Sequence, residues 1–82
     1  MAHVVLMRWL AARYTDGKTE HEVPGLSVRH LVRELDRRYP GLGQHLEDGV
    51  AVAIDGLIHQ NAFLERVEPN SEVCFMPALE GG

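Results

Sequence analysis

The sequence has a single cysteine, Cys74, among 82 residues, which excludes an internal disulfide and fits a reducing compartment. With no CxxC pair there is no metal or redox motif built on sulfur. The five histidines, His3, His21, His30, His45 and His59, show neither HxxxH nor HExxH spacing, so no metal site is expected. The apolar start "MAHVVLMRWLAA" has no Lys or Arg ahead of its apolar part and is interrupted by Arg8, unlike a signal peptide. No apolar run approaches the roughly 18–20 residues of a membrane span, and a cytoplasmic location is expected. Repeats and low-complexity segments are missing as well. Nothing resembles a catalytic triad, a carboxylate pair in a cleft or a phosphate-binding loop, so the chain by itself is not expected to be an enzyme.

Basic residues are nearly missing from the second half. Residues 1–40 carry seven Lys/Arg against five Asp/Glu, whereas residues 41–82 carry Arg66 alone against seven acids, within a net charge of −4. This balance argues against general nucleic-acid binding, which draws on clustered positive charge. It favours a partner with a basic docking face.

What is present is an ordinary globular composition, 45% hydrophobic and 24% charged, in a length that allows one domain with one modest core. "HVVLMRWLA" reads as a strand, with Val5, Met7 and Trp9 on one face and Val4, Leu6 and Arg8 on the other. Asp16-Gly17 is a turn signal, and "EHEV" before Pro24-Gly25 returns as a second strand of a hairpin. In "SVRHLVRELDRRYPG", Ser27 caps a helix over about 27–39, Val28, Leu31, Val32 and Leu35 recur at helical spacing, and Pro40-Gly41 stops it. A loop through Gly43 and Gly49 leads to the strand "VAVAID". "GLIHQNAFLERVEPN" is expected to hold a short edge strand and a helical turn, and "SEVCFMP" is a last strand that Pro77 ends. The order is that of an α+β, ubiquitin-like β-grasp roll: a mixed sheet with one main helix across it, and first and last strands side by side. Residues 1–77 form the domain and residues 78–82 a mobile tail ending in Gly-Gly.

The sequence resembles the MoaD/ThiS family of ubiquitin-like sulfur carrier proteins over nearly its whole length. The resemblance rests on "GLSVRHLVRELDRRYPGL", on "VAVAIDG" and, most specifically, on the ending "SEVCFMPALEGG". Asn70-Ser71 stands where the family often has a Gly-Asp turn, and Glu80 where it has a small residue. The resemblance implies that an adenylating, MoeB/ThiF-like activating enzyme uses ATP and Mg to activate the Gly82 carboxylate. Sulfur then replaces AMP, and the resulting thiocarboxylate donates sulfur to a synthase subunit in molybdopterin, thiazole or cysteine-type biosynthesis. Gly81 and Gly82, lacking Cβ, suit a narrow tunnel in that partner, and no cofactor is bound by the carrier itself.

A docking surface is expected on the sheet face away from the helix. Alternation puts Val73 and Phe75 inward and Cys74 and Met76 outward, beside Leu6 and Arg8 if the first and last strands pair. With Leu79 of the tail, these residues are the expected partner contacts. The Arg29, Arg33, Arg37 stripe reads as a solvated helix face with Glu34–Arg38 as a weak surface pair. Two other readings share this fold: a ubiquitin-like interaction module or regulatory subunit whose tail is idle, and a modifier conjugated to proteins through Gly82.

Overall fold

Period-two burial begins at Ala2 and runs to Met7, although strand pairing ends at Val5. Ala2 and Val4 are buried, His3 and Val5 half-buried, and this strand, β1, spans Ala2–Val5 in the computed structural model, which describes residues 1–48, 50–60 and 62–77. The expected longer strand is therefore cut short, because a helix, α1, occupies Arg8–Tyr14. Leu10-Ala11-Ala12-Arg13 is a run of strong helix formers. Adjacent Leu10 and Ala11, both buried, share one side of a helix, whereas a strand would divide them between two faces. Trp9 consequently leaves the sheet and lies edge-on to His45 with ring centroids 5.6 Å apart.

Asp16 and Gly17 do form a turn, both left-handed at φ 55° and 87°, but the turn ends α1 and closes no tight hairpin. The Gly17 N–H donates to the Ala11 carbonyl at 2.9 Å. Strand β2 (Glu20–Val23) then pairs antiparallel with β1, so the two strands are neighbours as expected, with a helix inserted between them.

Helix α2 (Val28–Arg38) starts where Ser27 accepts the His30 N–H at 3.3 Å through its side chain, and it buries Val28, Leu31, Val32 and Leu35. Two charged residues near its end pair as expected and one more joins them: Glu34 accepts from Arg38 at 3.1 Å and from both Nε and Nη2 of Arg37. After Gly41, at φ 97°, the expected loop is instead a short helix, α3 (Leu42–Glu47). Leu42 and Leu46, one helical turn apart, are both buried and supply its apolar face. Asp36 of α2 caps it from outside, with Oδ1 accepting the Gly41 and Gly43 N–H groups at 3.1 and 3.0 Å. A Cβ at Gly43 would stand 2.9 Å from the Asp36 Cβ, so this glycine permits the close approach of the two helices.

Strands β3 (Val50–Ile54) and β4 (Leu57–His59) form a hairpin around Asp55-Gly56, both left-handed at φ 50° and 88°, the geometry of a two-residue turn. A turn at 62–65, closed by the Glu65 N–H on the Ala62 carbonyl at 2.8 Å, leads back under α2. Strand β5 (Glu72–Pro77) completes the sheet in the order β2-β1-β5-β3-β4, with β1 and β5 parallel and the other pairs antiparallel. This is the β-grasp, with α2 the longest of three helices among the described residues.

The core joins Val4, Val23, Val73 and Phe75 of the sheet to Leu10, Leu31, Leu35 and Leu42 of the helices. Asp55 fixes the β3–β5 end: Oδ1 accepts the Glu72 N–H and Oδ2 the buried Ser71 hydroxyl, each at 2.9 Å. Those bonds hold its carboxyl below the usual range, the Glu72 N–H contributing most. The Asn70-Ser71 departure from the family pattern is thereby explained. Asn70 takes the left-handed conformation a glycine would take, at φ 69°, and Ser71 supplies the hydroxyl that binds Asp55.

Candidate functional site

Strand register decides what the open face of the sheet carries. Directly opposed residues share a face, and one row crosses all five strands: Glu20, Val5, Cys74, Ala53 and Ile58. Beside it Met76 opposes Ala51. The companion row, Val4 with Val73 and His21, belongs to the core side, as does Val52 with Phe75. Cys74 and Met76 are thus on the open face, half-buried, as expected from alternation.

Leu6 is a correction. It shares parity with Val4, is only 3% exposed and packs into the core cluster, so it cannot be a surface contact beside Met76. Val5 takes that place. Both faces of the first strand are apolar, so alternation alone separated the two sets without telling which was inward. Arg8 is exposed, but as the first residue of α1 and no part of the strand. It stands at the end of the sheet where β5 reaches Pro77, because β1 and β5 run parallel. Leu79, Gly81 and Gly82, and the expected tail 78–82 as a whole, lie outside the described residues.

The margin of the open face is acidic. His3 lies between Glu20, 2.8 Å from Nε2, and Glu22, 3.3 Å from Nδ1, and opposes Glu72 on β5. Its pKa is raised, first by the hydrogen bond to Glu22 and then by that to Glu20. Charge counting by halves had put the acidity in residues 41–82, whereas two of these three carboxylates come from β2. Alternation in "EHEV", which sends both glutamates to one face, was the signal available. An apolar centre with a carboxylate rim fits a partner with a basic-rimmed apolar patch.

Cys74 makes a weak Sγ–H contact to Glu72 Oε1 at 3.9 Å. Burial, and then the Glu72 charge, push the thiol pKa up, so it remains a protonated, poorly nucleophilic group. Among the described residues no three His, Cys, Asp or Glu side chains gather as a metal site. An apolar groove of about 390 Å³ between Val28, Leu46, Val52 and Phe63 lies on the helix-covered side and is separate from the open face.

What this arrangement can do chemically is present the end of β5. The strand is held by β1 on one side as far as Cys74 and by β3 on the other as far as Pro77, so Pro77 is anchored in the sheet at its β3 side.

Comparison with known proteins bears on family and fold. The model of the ThiS family matches residues 5–82. A molybdopterin synthase sulfur carrier subunit of Pyrenophora tritici-repentis is 27% identical over 84 residues, covering 98% of this chain and 90% of that protein. In structure, CysO of Mycobacterium tuberculosis superposes with a TM-score of 0.84 at 16% identity, over 96% of this chain and all of that one. A chain of the Amycolatopsis orientalis BexX/CysO complex gives the same TM-score at 18% identity over the full length of both. At those identities the two structures speak for the fold. The family match runs from Val5 through the final glycines, leaving out only the start of β1, and the chain belongs to the ThiS family, the MoaD/ThiS group of ubiquitin-like proteins.

Proposed function

We propose that this protein is a sulfur carrier whose Gly82 carboxylate is its working group. The observation that carries the reading is the family match running through the Gly81-Gly82 ending, four residues beyond a strand that β3 pairs as far as Pro77. A carboxylate is a poor electrophile, and no group among the described residues is arranged to activate it. The activating enzyme, MoeB/ThiF-like, supplies ATP and Mg. A Gly82 carboxylate oxygen attacks the α-phosphorus, pyrophosphate leaves, and an acyl-adenylate forms. A sulfide-level sulfur nucleophile then attacks the acyl carbon and expels AMP, leaving the thiocarboxylate. The carrier contributes position: β5 as a fixed base, Met76 and Cys74 in the docking row, Arg8 at the same sheet end, and Leu79 as an apolar contact on the tail. Glycines at 81 and 82 allow close approach of the acyl carbon to the nucleotide. The chain itself is substrate and carrier, not catalyst, and works in the cytoplasm, where a thiocarboxylate stays reduced.

The sulfur acceptor is a synthase subunit, and the fungal relative's role as a molybdopterin synthase subunit favours that pathway over the thiazole and cysteine types. Mass spectrometry of the chain isolated after co-expression with its activating enzyme tests the proposal. Exchange of oxygen for sulfur adds about 16 Da, and an unchanged mass in the presence of active enzyme, ATP and sulfur donor contradicts it.

A further inference from the structure

The sheet has two edges, and they are treated differently. At β2 the edge is protected. The Arg38 Nη1 donates to the outward Glu22 carbonyl at 3.0 Å, and the strand "EHEV" carries Glu20 and Glu22 on one face. Pairing of two such edges in any antiparallel register centred on Glu20, His21 or Glu22 sets a carboxylate opposite a carboxylate, which destabilises the pair.

The β4 edge has none of these defences. Its residues are Leu57, Ile58 and His59, with Leu57 65% and Ile58 50% exposed, and no Lys, Glu or Pro stands in it. The β3–β4 register shows which main-chain groups it leaves free. Ile54 and Leu57 flank the two-residue turn and are a hydrogen-bonded pair, so Ala53 with Ile58 is the non-hydrogen-bonded pair beside it. The Ile58 N–H and C=O accordingly point away from β3, the only outward pair within the strand.

We propose that β4 is a self-association edge at which two copies of this chain pair antiparallel about a two-fold axis through Ile58. Ile58 then exchanges both main-chain hydrogen bonds with Ile58 of the other copy. Leu57 falls opposite His59, and no charge meets its like. A second copy is favoured over an unrelated strand because the edge is self-complementary about that one residue. The two-fold axis is perpendicular to the sheet, so five strands from each copy form one continuous sheet with both open faces on the same side. The two β5 strands run in opposite directions, which leaves each Pro77 at its own end of the assembly, with neither copy standing in the way of the other's terminus. Three residues of edge bury far less than the roughly 1,200 Å² of a standard interface, so the association is weak and shows only at high protein concentration.

Sedimentation of the free chain from about 10 μM to about 1 mM tests this, since mass action makes a weak dimer depend on protein concentration. The wild type shifts from monomer to dimer across that range. Ile58→Lys stays monomeric, and Ile58→Thr, which keeps a β-branched residue, weakens association by at least tenfold without loss of fold by circular dichroism. In a Cys74→Ser background, Ile58→Cys crosslinks to itself on mild oxidation, because hydrogen-bonded antiparallel partners have Cα atoms about 5.5 Å apart, within disulfide range. Leu57→Cys does not. A wild type that is monomeric throughout overturns the proposal and leaves β4 to a strand from another protein. Association that survives Ile58→Lys overturns it too and moves the contact away from β4, to Val5, Cys74 and Met76 of the open face.

Discussion

Replacing Met76 by Asp separates docking from folding, and the structure sets the size of each effect. Met76 is half-buried on the open face, directly opposite Ala51 of β3, and it is outside the core cluster. A fully buried methionine contributes about 1.5–3 kcal/mol, so losing a half-buried one costs about 1 kcal/mol. Aspartate's poor fit to a strand adds up to about 1 kcal/mol more. The expected loss of stability is therefore about 1–2 kcal/mol, a fall in Tm of about 5–15 °C for a domain of this size, and the protein remains folded at 25 °C. Binding suffers more. An unpaired carboxylate enclosed in an apolar contact loses about 3 kcal/mol or more, which is more than about a hundredfold in Kd. Titration calorimetry with the activating enzyme, beside thermal melts of the same preparations, reads both quantities. Met76→Ala serves as the control, with a similar stability loss and a much smaller binding loss. Normal binding by folded Met76→Asp refutes the assignment of the docking face, and unfolding at 25 °C refutes the placement of Met76 outside the core.

Individual contacts set further expectations. Ser27→Ala removes the acceptor for the His30 N–H and lowers stability by about 0.5–2 kcal/mol in urea melts; no change in midpoint means the cap contributes nothing. Leu35→Ala, at a residue with no exposure, costs about 2–5 kcal/mol by the same melts, and a loss below about 1 kcal/mol contradicts its place in the core. His3 and His21 titrate on opposite sides of 6.5. His3, raised by Glu22 and Glu20, adds stability that is complete below 6.5 and is lost as pH rises through its higher folded pKa. His21, lowered first by burial, adds stability that is present above 6.5 and is lost as pH falls through its lower folded pKa. Histidine ring shifts measured by NMR check both directions, and His21 titrating above His3 contradicts the contacts described.

The parts of the fold that were legible in sequence are those where one signal dominates. Helix α2 has a cap, an apolar stripe and a Pro-Gly stop, and all three agree. In "SEVCFMP" one alternate set holds Val73 and Phe75 while the other holds the charged Glu72, so parity was readable. Helix α1 was hidden because "VVLMRWLA" is apolar at every position but Arg8, and so nearly continuous an apolar run fits either period. Helix α3 was hidden because Gly43, which reads as a breaker, is there to let the helix approach Asp36, a contact made only in the folded chain. Leu6 was misplaced for a related reason. Its parity with Val4 was right, but which set faces the core depends on the partner strand, and that is settled by the register of β1 with β5. The row from Glu20 to Ile58 is likewise a property of register, assembled from strands far apart in sequence.

In the proposed function the final carboxylate is the working group and the folded domain presents it. ATP–pyrophosphate exchange by the activating enzyme, measured with the full chain and with the chain lacking Gly82, tests this most directly. Deletion moves the carboxylate back by about 3.5 Å, so exchange falls to background while the thermal midpoint changes little, and Gly81→Val lowers exchange in the same way through its restricted backbone and added bulk. Undiminished exchange by the deleted protein contradicts the claim.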